Sequence, residues 1–268
     1  MNLRKVNANF VIRGLLLALP AAVIATTIGF VLMITRGWPL AGPIPPPPTI
    51  LAPRGELPAG PAGLEEWVQV QGGSYTLAGS GFLMALEDGQ VVGVTTAHSV
   101  PFGDPARPVE RIALRVADQA AFVAEFDTLW GRPGRPLTGD DMTVDYVLMK
   151  ADQPVDAGLV LTPDPRGAPQ PGERVALFSG LGDGHGGRRI LGGTVQSASD
   201  TAVWVVMDGW FSPGLMSGSP LVSRHTGQVV GMAIAVNPRR YRLALGIHPI
   251  GSIVRLAESA TEFPKIRE

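Results

Sequence analysis

From residue 64 to the end of the chain, only the final stretch keeps apolar residues at helical spacing. The rest is a succession of short apolar runs at 68–70, 81–84, 91–94, 112–116, 144–149, 175–178, 203–207 and 229–235, separated by glycine, proline and aspartate. Runs of that kind form strands, because β-branched side chains pack well on a pleated surface and Gly, Pro and Asp supply the turns. The exception is 250–259, where Ile253, Val254 and Leu256 lie on one helical face. The expected class is therefore all-β, one compact unit of two small barrels with a C-terminal helix. The composition agrees, since 34 glycines and 25 prolines serve many turns while 45% hydrophobic residues can fill a core.

The N-terminal quarter obeys different rules. Residues 14–34 carry no charge and are almost wholly apolar. As a helix rising about 1.5 Å per residue, they reach across a hydrocarbon core of about 30 Å, and a membrane helix tolerates Pro20. Arg4, Lys5 and Arg13 precede the run and only Arg36 follows closely, so the positive-inside rule puts residues 1–13 in the cytoplasm. A transmembrane signal anchor at 14–34 is expected, with the remainder extracytoplasmic. The alternative is a cleaved signal peptide and a secreted product, whose apolar region is usually shorter, ~7–15 residues. Residues 35–63 are a linker: its prolines, among them Pro45 to Pro48, forbid helix and favour extended polyproline conformations that act as a semi-rigid spacer.

Charge and cysteine content exclude several functions. A net charge of −1 offers nothing to nucleic acid. With no cysteine, disulfides, thiolate catalysis and cysteine-ligated zinc are ruled out. The four histidines, His98, His185, His225 and His248, show no metal-binding spacing, and neither metal nor cofactor is expected. The glycine-rich stretch at 180–187 lacks the lysine and following helix of a phosphate loop and reads as a surface loop.

Three separated elements carry residues that belong together chemically. Val94-Thr95-Thr96-Ala97-His98 places a histidine directly after a strand, and Asp145 heads the run at 144–149. In Gly214-Leu215-Met216-Ser217-Gly218-Ser219-Pro220-Leu221, a serine sits near the start of another strand. Alone, the last stretch reads first as a turn, which is what Ser/Gly/Pro clusters usually mean. A serine hydroxyl becomes a nucleophile when an imidazole takes its proton, and that imidazole needs a carboxylate to fix its tautomer. Asp140 and Asp141 are rivals for the carboxylate role, but Asp145 alone begins a strand.

On these residues the chain resembles the trypsin-like (chymotrypsin-fold) serine peptidases. Thr96-Ala97-His98 is similar to that family's T-A-H segment, with Ser99 where many members carry cysteine. Asp145-Tyr146-Val147-Leu148-Met149 resembles D-[IL]-A-L-[LI], and Ser217-Gly218-Ser219-Pro220-Leu221 resembles S-G-[GS]-P-L. Gly79-Ser80-Gly81-Phe82, Gly227-Gln228-Val229-Val230-Gly231-Met232 and Gly246-Ile247-His248-Pro249-Ile250 look like further segments of the bacterial Deg-type and glutamyl-endopeptidase-like branches. The likeness runs from about 79 to 256. It implies two six-stranded antiparallel barrels, a peptidase domain at 64–268 and a protein or peptide substrate. It also implies Ser217 as nucleophile, His98 as general base and acid, and Asp145 as orienter.

The oxyanion hole implied by the resemblance uses the backbone N–H groups of Leu215 and Ser217. Here the chain departs from the family, which has glycine two residues before the serine because that loop needs positive φ. Three outcomes are open: an inserted residue that still aims an N–H, a resting form that rearranges, or a broken hole. The function expected is an anchored serine endopeptidase working through an acyl-enzyme; the alternative is a catalytically silent binding module of the same fold. Met216 stands where animal members often carry aspartate, so activation through a freed N-terminus is not expected. Phe211, Gly214, Ile234, Ala235 and His248 are implied to bound the primary substrate pocket. A following PDZ domain is not expected, and the oligomeric state is left open.

Overall fold

The computed structural model describes residues 55–151, 153–185, 187, 189–239 and 242–267. The expected membrane helix at 14–34 and most of the linker lie outside them. Among the described residues no helix is long and apolar enough to cross a membrane.

Two β-systems follow one another along the chain. The first comprises β1 (Leu64–Val70), β2 (Thr76–Ala85), β3 (Val91–Thr95), β4 (Val109–Arg115), β5 (Ala124–Phe126), β6 (Val147–Lys150) and the short β7 (Val160–Leu161). Its strand order is β5-β4-β1-β2-β3-β6, with β7 added alongside β2. The chain just beyond β5 closes the circuit: Leu129 bridges Met149, Trp130 N–H donates to the Leu148 carbonyl at 2.8 Å, and Lys150 N–H donates to that of Thr128 at 3.0 Å. Six strands thereby form a barrel around Leu64, Leu83, Ile112, Leu114, Phe126 and Met149.

The second system is a closed barrel of β8 (Arg174–Ser179), β9 (Arg189–Ala198), β10 (Val203–Met207), β11 (Pro220–Ser223), β12 (Val229–Arg239) and β13 (Arg242–Pro249). Val175, Leu177, Val205, Val230, Leu245 and Ile247 fill it. Helix α1 (Ile250–Glu258) follows β13 directly, burying Ile250, Ile253 and Ala257. Two six-stranded barrels and a C-terminal helix are thus present, as expected.

The expected elements are refined in two places. The run at 144–149 is not all strand. Met142–Val144 forms a 3-10 turn, Asp145 caps its end, and β6 starts only at Val147. Asp141 caps the other end of that turn, accepting from Thr143 N–H at 2.9 Å. The stretch at 180–187 does lie between two strands, with a 3-10 turn at Asp183–His185.

Between the barrels, residues 162–173 are pinned to the second one. Asp164 N–H donates to the Val229 carbonyl at 2.8 Å, and Gly251 N–H to that of Gly167 at 2.8 Å. At the turn joining β11 to β12, whose Thr226 hydroxyl donates to Asp164, Gly55 N–H donates to the His225 carbonyl at 2.9 Å.

Candidate active site

Both chemistry-bearing turns grow from strand ends. β3 runs to Thr95, and the 3-10 turn Ala97–Ser99 that follows lifts His98 out of the sheet, leaving its side chain 35% exposed. Asp145 is fully buried beneath it. One of its oxygens accepts from the N–H groups of Ala97 (2.7 Å) and His98 (3.1 Å). The other accepts from Leu137 N–H (3.0 Å) and faces His98 Nδ1 at 2.8 Å. Burial pushes this carboxyl's pKa up, but His98 and the surrounding N–H donors outweigh it and hold the pKa below its ordinary value.

An ionised carboxylate can only accept, so the imidazole proton sits on Nδ1. Nε2 is left as an acceptor, and Ser217 Oγ stands 2.8 Å from it. The three residues selected from sequence are therefore joined in one hydrogen-bonded line. Asp140 and Asp141 lie outside it, Asp141 being engaged by Thr143 through both N–H and hydroxyl.

The serine turn is held from two sides. Gly218 N–H donates to the Ala233 carbonyl (2.8 Å), and Ala233 N–H returns to that of Ser219 (2.9 Å). From β2, Ser80 N–H donates to the Ser217 carbonyl (2.9 Å) and Ser80 Oγ to the Leu215 carbonyl (2.8 Å). Gly218 has φ +90°, and a Cβ on it would come within 1.8 Å of the Ser80 carbonyl oxygen. Leu215 itself adopts φ +64°, one of two non-glycine residues in the left-handed region among those described. The backbone shape that the family obtains with glycine is here taken by leucine. Among the described residues, no acceptor occupies the N–H of either Leu215 or Ser217.

Beside Ser217 opens a narrow apolar cleft of about 60 Å³, lined by Phe211, Met216, Ile234, Ala235, Val236 and Leu245 among others. Phe211, Ile234 and Ala235 were expected there. Gly214, expected there too, does not line it and lies in the exposed turn before Leu215. His248 does not line the cleft. It is fully buried, its ring set edge-on to Tyr146 at 6.0 Å, and burial pushes its pKa down to about 4. A neutral, enclosed imidazole cannot greet an acidic substrate side chain. Leu177, Met216 and Leu245 were missed as lining residues; Met216 sits next to the serine, where the sequence gives no sign of side-chain direction.

No curated protein sequence matches the chain. Solved structures do. The serine endoprotease from Yersinia pestis superposes with a TM-score of 0.50 at 19% identity, over 75% of this chain and 65% of that one. The HtrA-type protease AlgW with decapeptide gives a TM-score of 0.50 at 16% identity, with the same coverage. The chain thus spans about two thirds of the length of these proteins, and at such identities the likeness is one of fold. The family model of the trypsin-like peptidase domain matches residues 79–232. That segment is more than half of the chain and holds all three residues of the hydrogen-bonded line; the chain belongs to the trypsin-like peptidase family.

Proposed function

We propose that this protein is a serine endopeptidase whose catalytic triad is His98, Asp145 and Ser217. The observation that carries the reading is the line from Asp145 through His98 to Ser217, with both contacts at 2.8 Å. Ser217 Oγ attacks the scissile carbonyl while its proton passes to His98 Nε2, and Asp145 stabilises the imidazolium that forms. His98 then returns the proton to the leaving amine, and water hydrolyses the acyl-enzyme by the same route reversed. The unoccupied N–H groups of Leu215 and Ser217 receive the developing oxyanion, Leu215 being aimed by its left-handed backbone. The cleft has no charged lining, which supports a preference for a small aliphatic residue before the scissile bond.

A fluorophosphonate probe tests the assignment directly. Wild-type protein is expected to take one label, on Ser217, at neutral pH; Ser217→Ala is expected to take none. Absence of label on the wild type removes the peptidase reading and leaves a binding module of the same fold.

The apolar run at 14–34, followed by the proline-rich spacer, supports a membrane-anchored enzyme with its barrels outside the cytoplasm. Full-length protein is then expected to resist alkaline extraction from membranes, and release into the soluble fraction argues for cleavage and secretion.

A further inference from the structure

Glu66 lies at the centre of β1 with no exposure at all, and neither carboxyl oxygen meets a hydrogen-bond partner. The space it fills is defined by its neighbours. A Cβ placed on Gly79, its partner across the β1–β2 ladder, would lie 2.7 Å from Glu66 Oε2, 3.3 Å from Ser99 Cβ and 3.3 Å from the Ser217 carbonyl oxygen. Ser99 follows His98 in its turn, and Ser217 is the nucleophile. The carboxyl and the side-chain-free Gly79 therefore occupy the gap between the two turns whose separation fixes the Nε2–Oγ contact.

Resting on the peptidase reading, we propose that Glu66 is a positioning residue. As a neutral carboxylic acid it fills the space between the His98 turn and the Ser217 turn, and when ionised it releases their register.

The surroundings are built for the neutral form. The hydroxyls facing the carboxyl are committed elsewhere, Thr95 Oγ1 donating to the Ser80 carbonyl (2.8 Å) and Ser99 Oγ to that of Thr96 (2.9 Å). An ionised carboxylate gains a donor only by drawing one of these hydroxyls from its present acceptor, a costly state in an enclosed site. Among the described residues no cation compensates. Glu65 on the same strand is already paired with Arg115 of β4, while β2 offers Gly79 and Ser80, β3 offers Thr95, and the nucleophile turn offers Ser217. The turn carrying Ser99 holds His98, which is paired with Asp145 from the turn before β6. Burial accordingly pushes the Glu66 pKa up to about 8, against weaker lowering by Ser99 and Thr95. The acid stays protonated through neutral pH and ionises just above it.

The test is the rate of fluorophosphonate labelling of the full-length chain from about pH 6 to about pH 10, for wild type, Glu66→Gln and Glu66→Ala. Wild type is expected to lose rate above about pH 8. Glu66→Gln mimics the neutral acid, so it is expected to label within about threefold of wild type near neutrality and to keep its rate into the alkaline range. Glu66→Ala opens a cavity between the turns and is expected to label at least about tenfold more slowly at every pH. Should the alanine variant fail to fold, the glutamine profile decides alone. An alkaline fall retained in Glu66→Gln, or a folded alanine variant as fast as wild type, overturns the proposal while leaving the peptidase reading intact. A wild type that labels at no pH overturns both.

Discussion

Leu215 is the residue at which this chain does by constraint what its relatives do with glycine. A non-glycine residue in the left-handed region costs roughly 1–2 kcal/mol. The Ser80 hydroxyl holds the Leu215 carbonyl from β2, so the conformation is imposed by contacts outside the turn. Leu215→Gly is expected to raise stability by up to about 1 kcal/mol, with labelling of Ser217 within about threefold of wild type. Leu215→Val, β-branched and poorly suited to positive φ, is expected to lower both. Thermal melts and labelling rates on the two variants check this; equal behaviour would mean that the left-handed turn is not what aims the N–H. The sequence flagged this position but left three outcomes open, because nothing local dictates a leucine's φ. Ser80, which imposes it, lies far away in the chain.

Among the elements, β2 and the nucleophile turn are interlocked rather than merely adjacent. Gly81 sits where a Cβ would meet Leu114 Cδ2 and the Val94 carbonyl, both at 2.8 Å, and Gly218 where one would meet the Ser80 carbonyl. Gly218→Ala therefore has to push β2 away from the turn and also adopt a φ of +90°. A loss of labelling of about 10²–10³-fold is expected, the scale of a misplaced oxyanion donor. A variant that keeps wild-type labelling would show that the turn can shift without harm.

Strand existence was legible wherever apolar residues clustered, as in β3, β8 and β10. It was hidden where the pattern broke. β9 contains Gly192-Gly193 and polar residues, and β5 and β7 are too short to establish a period. β1 reads as starting at Val68 because Glu65 and Glu66 look solvated, yet both are buried. Arg115 neutralises the first, and the gap at Gly79 accommodates the second; both compensations come from other strands. His98, Asp145 and Ser217 were accessible to reasoning because chemistry restricts which residue types can cooperate. Leu137, which donates only a backbone N–H to Asp145, carries no such mark.

For the whole molecule, the connection between the barrels is secured by charge. Arg166 donates to Asp164 (2.6 Å) and to both oxygens of Glu173 (2.9 and 3.0 Å). Asp164 also accepts from the Thr226 hydroxyl (2.6 Å), and Glu173 from that of Ser223. Burial pushes both carboxyl pKa values up, but Arg166 and the hydroxyl donors outweigh it and hold both below their ordinary values. A depressed folded pKa gives stability above the unfolded value, lost as pH falls through the folded one. Arg166→Met strands two buried carboxylates and is expected to cost about 3–5 kcal/mol at neutral pH. The deficit should shrink toward about pH 4, where the stranded groups take up protons that the wild type resists. Urea unfolding at the two pH values decides; an equal deficit at both would reduce Arg166 to packing alone.

Gly55, hydrogen-bonded to His225, enters the second barrel at the turn that follows β11. Ser217 precedes the opposite end of that strand, whose 4 residues span roughly 13 Å at about 3.3 Å per residue. A leash leaving from Gly55 therefore pulls on the pole remote from the nucleophile. If residues 14–34 insert as proposed, the reach of the enzyme is set by the length of the proline-rich spacer that joins them to Gly55. Lengthening or shortening that spacer would alter which polypeptides are met, and how often, without touching a single catalytic atom.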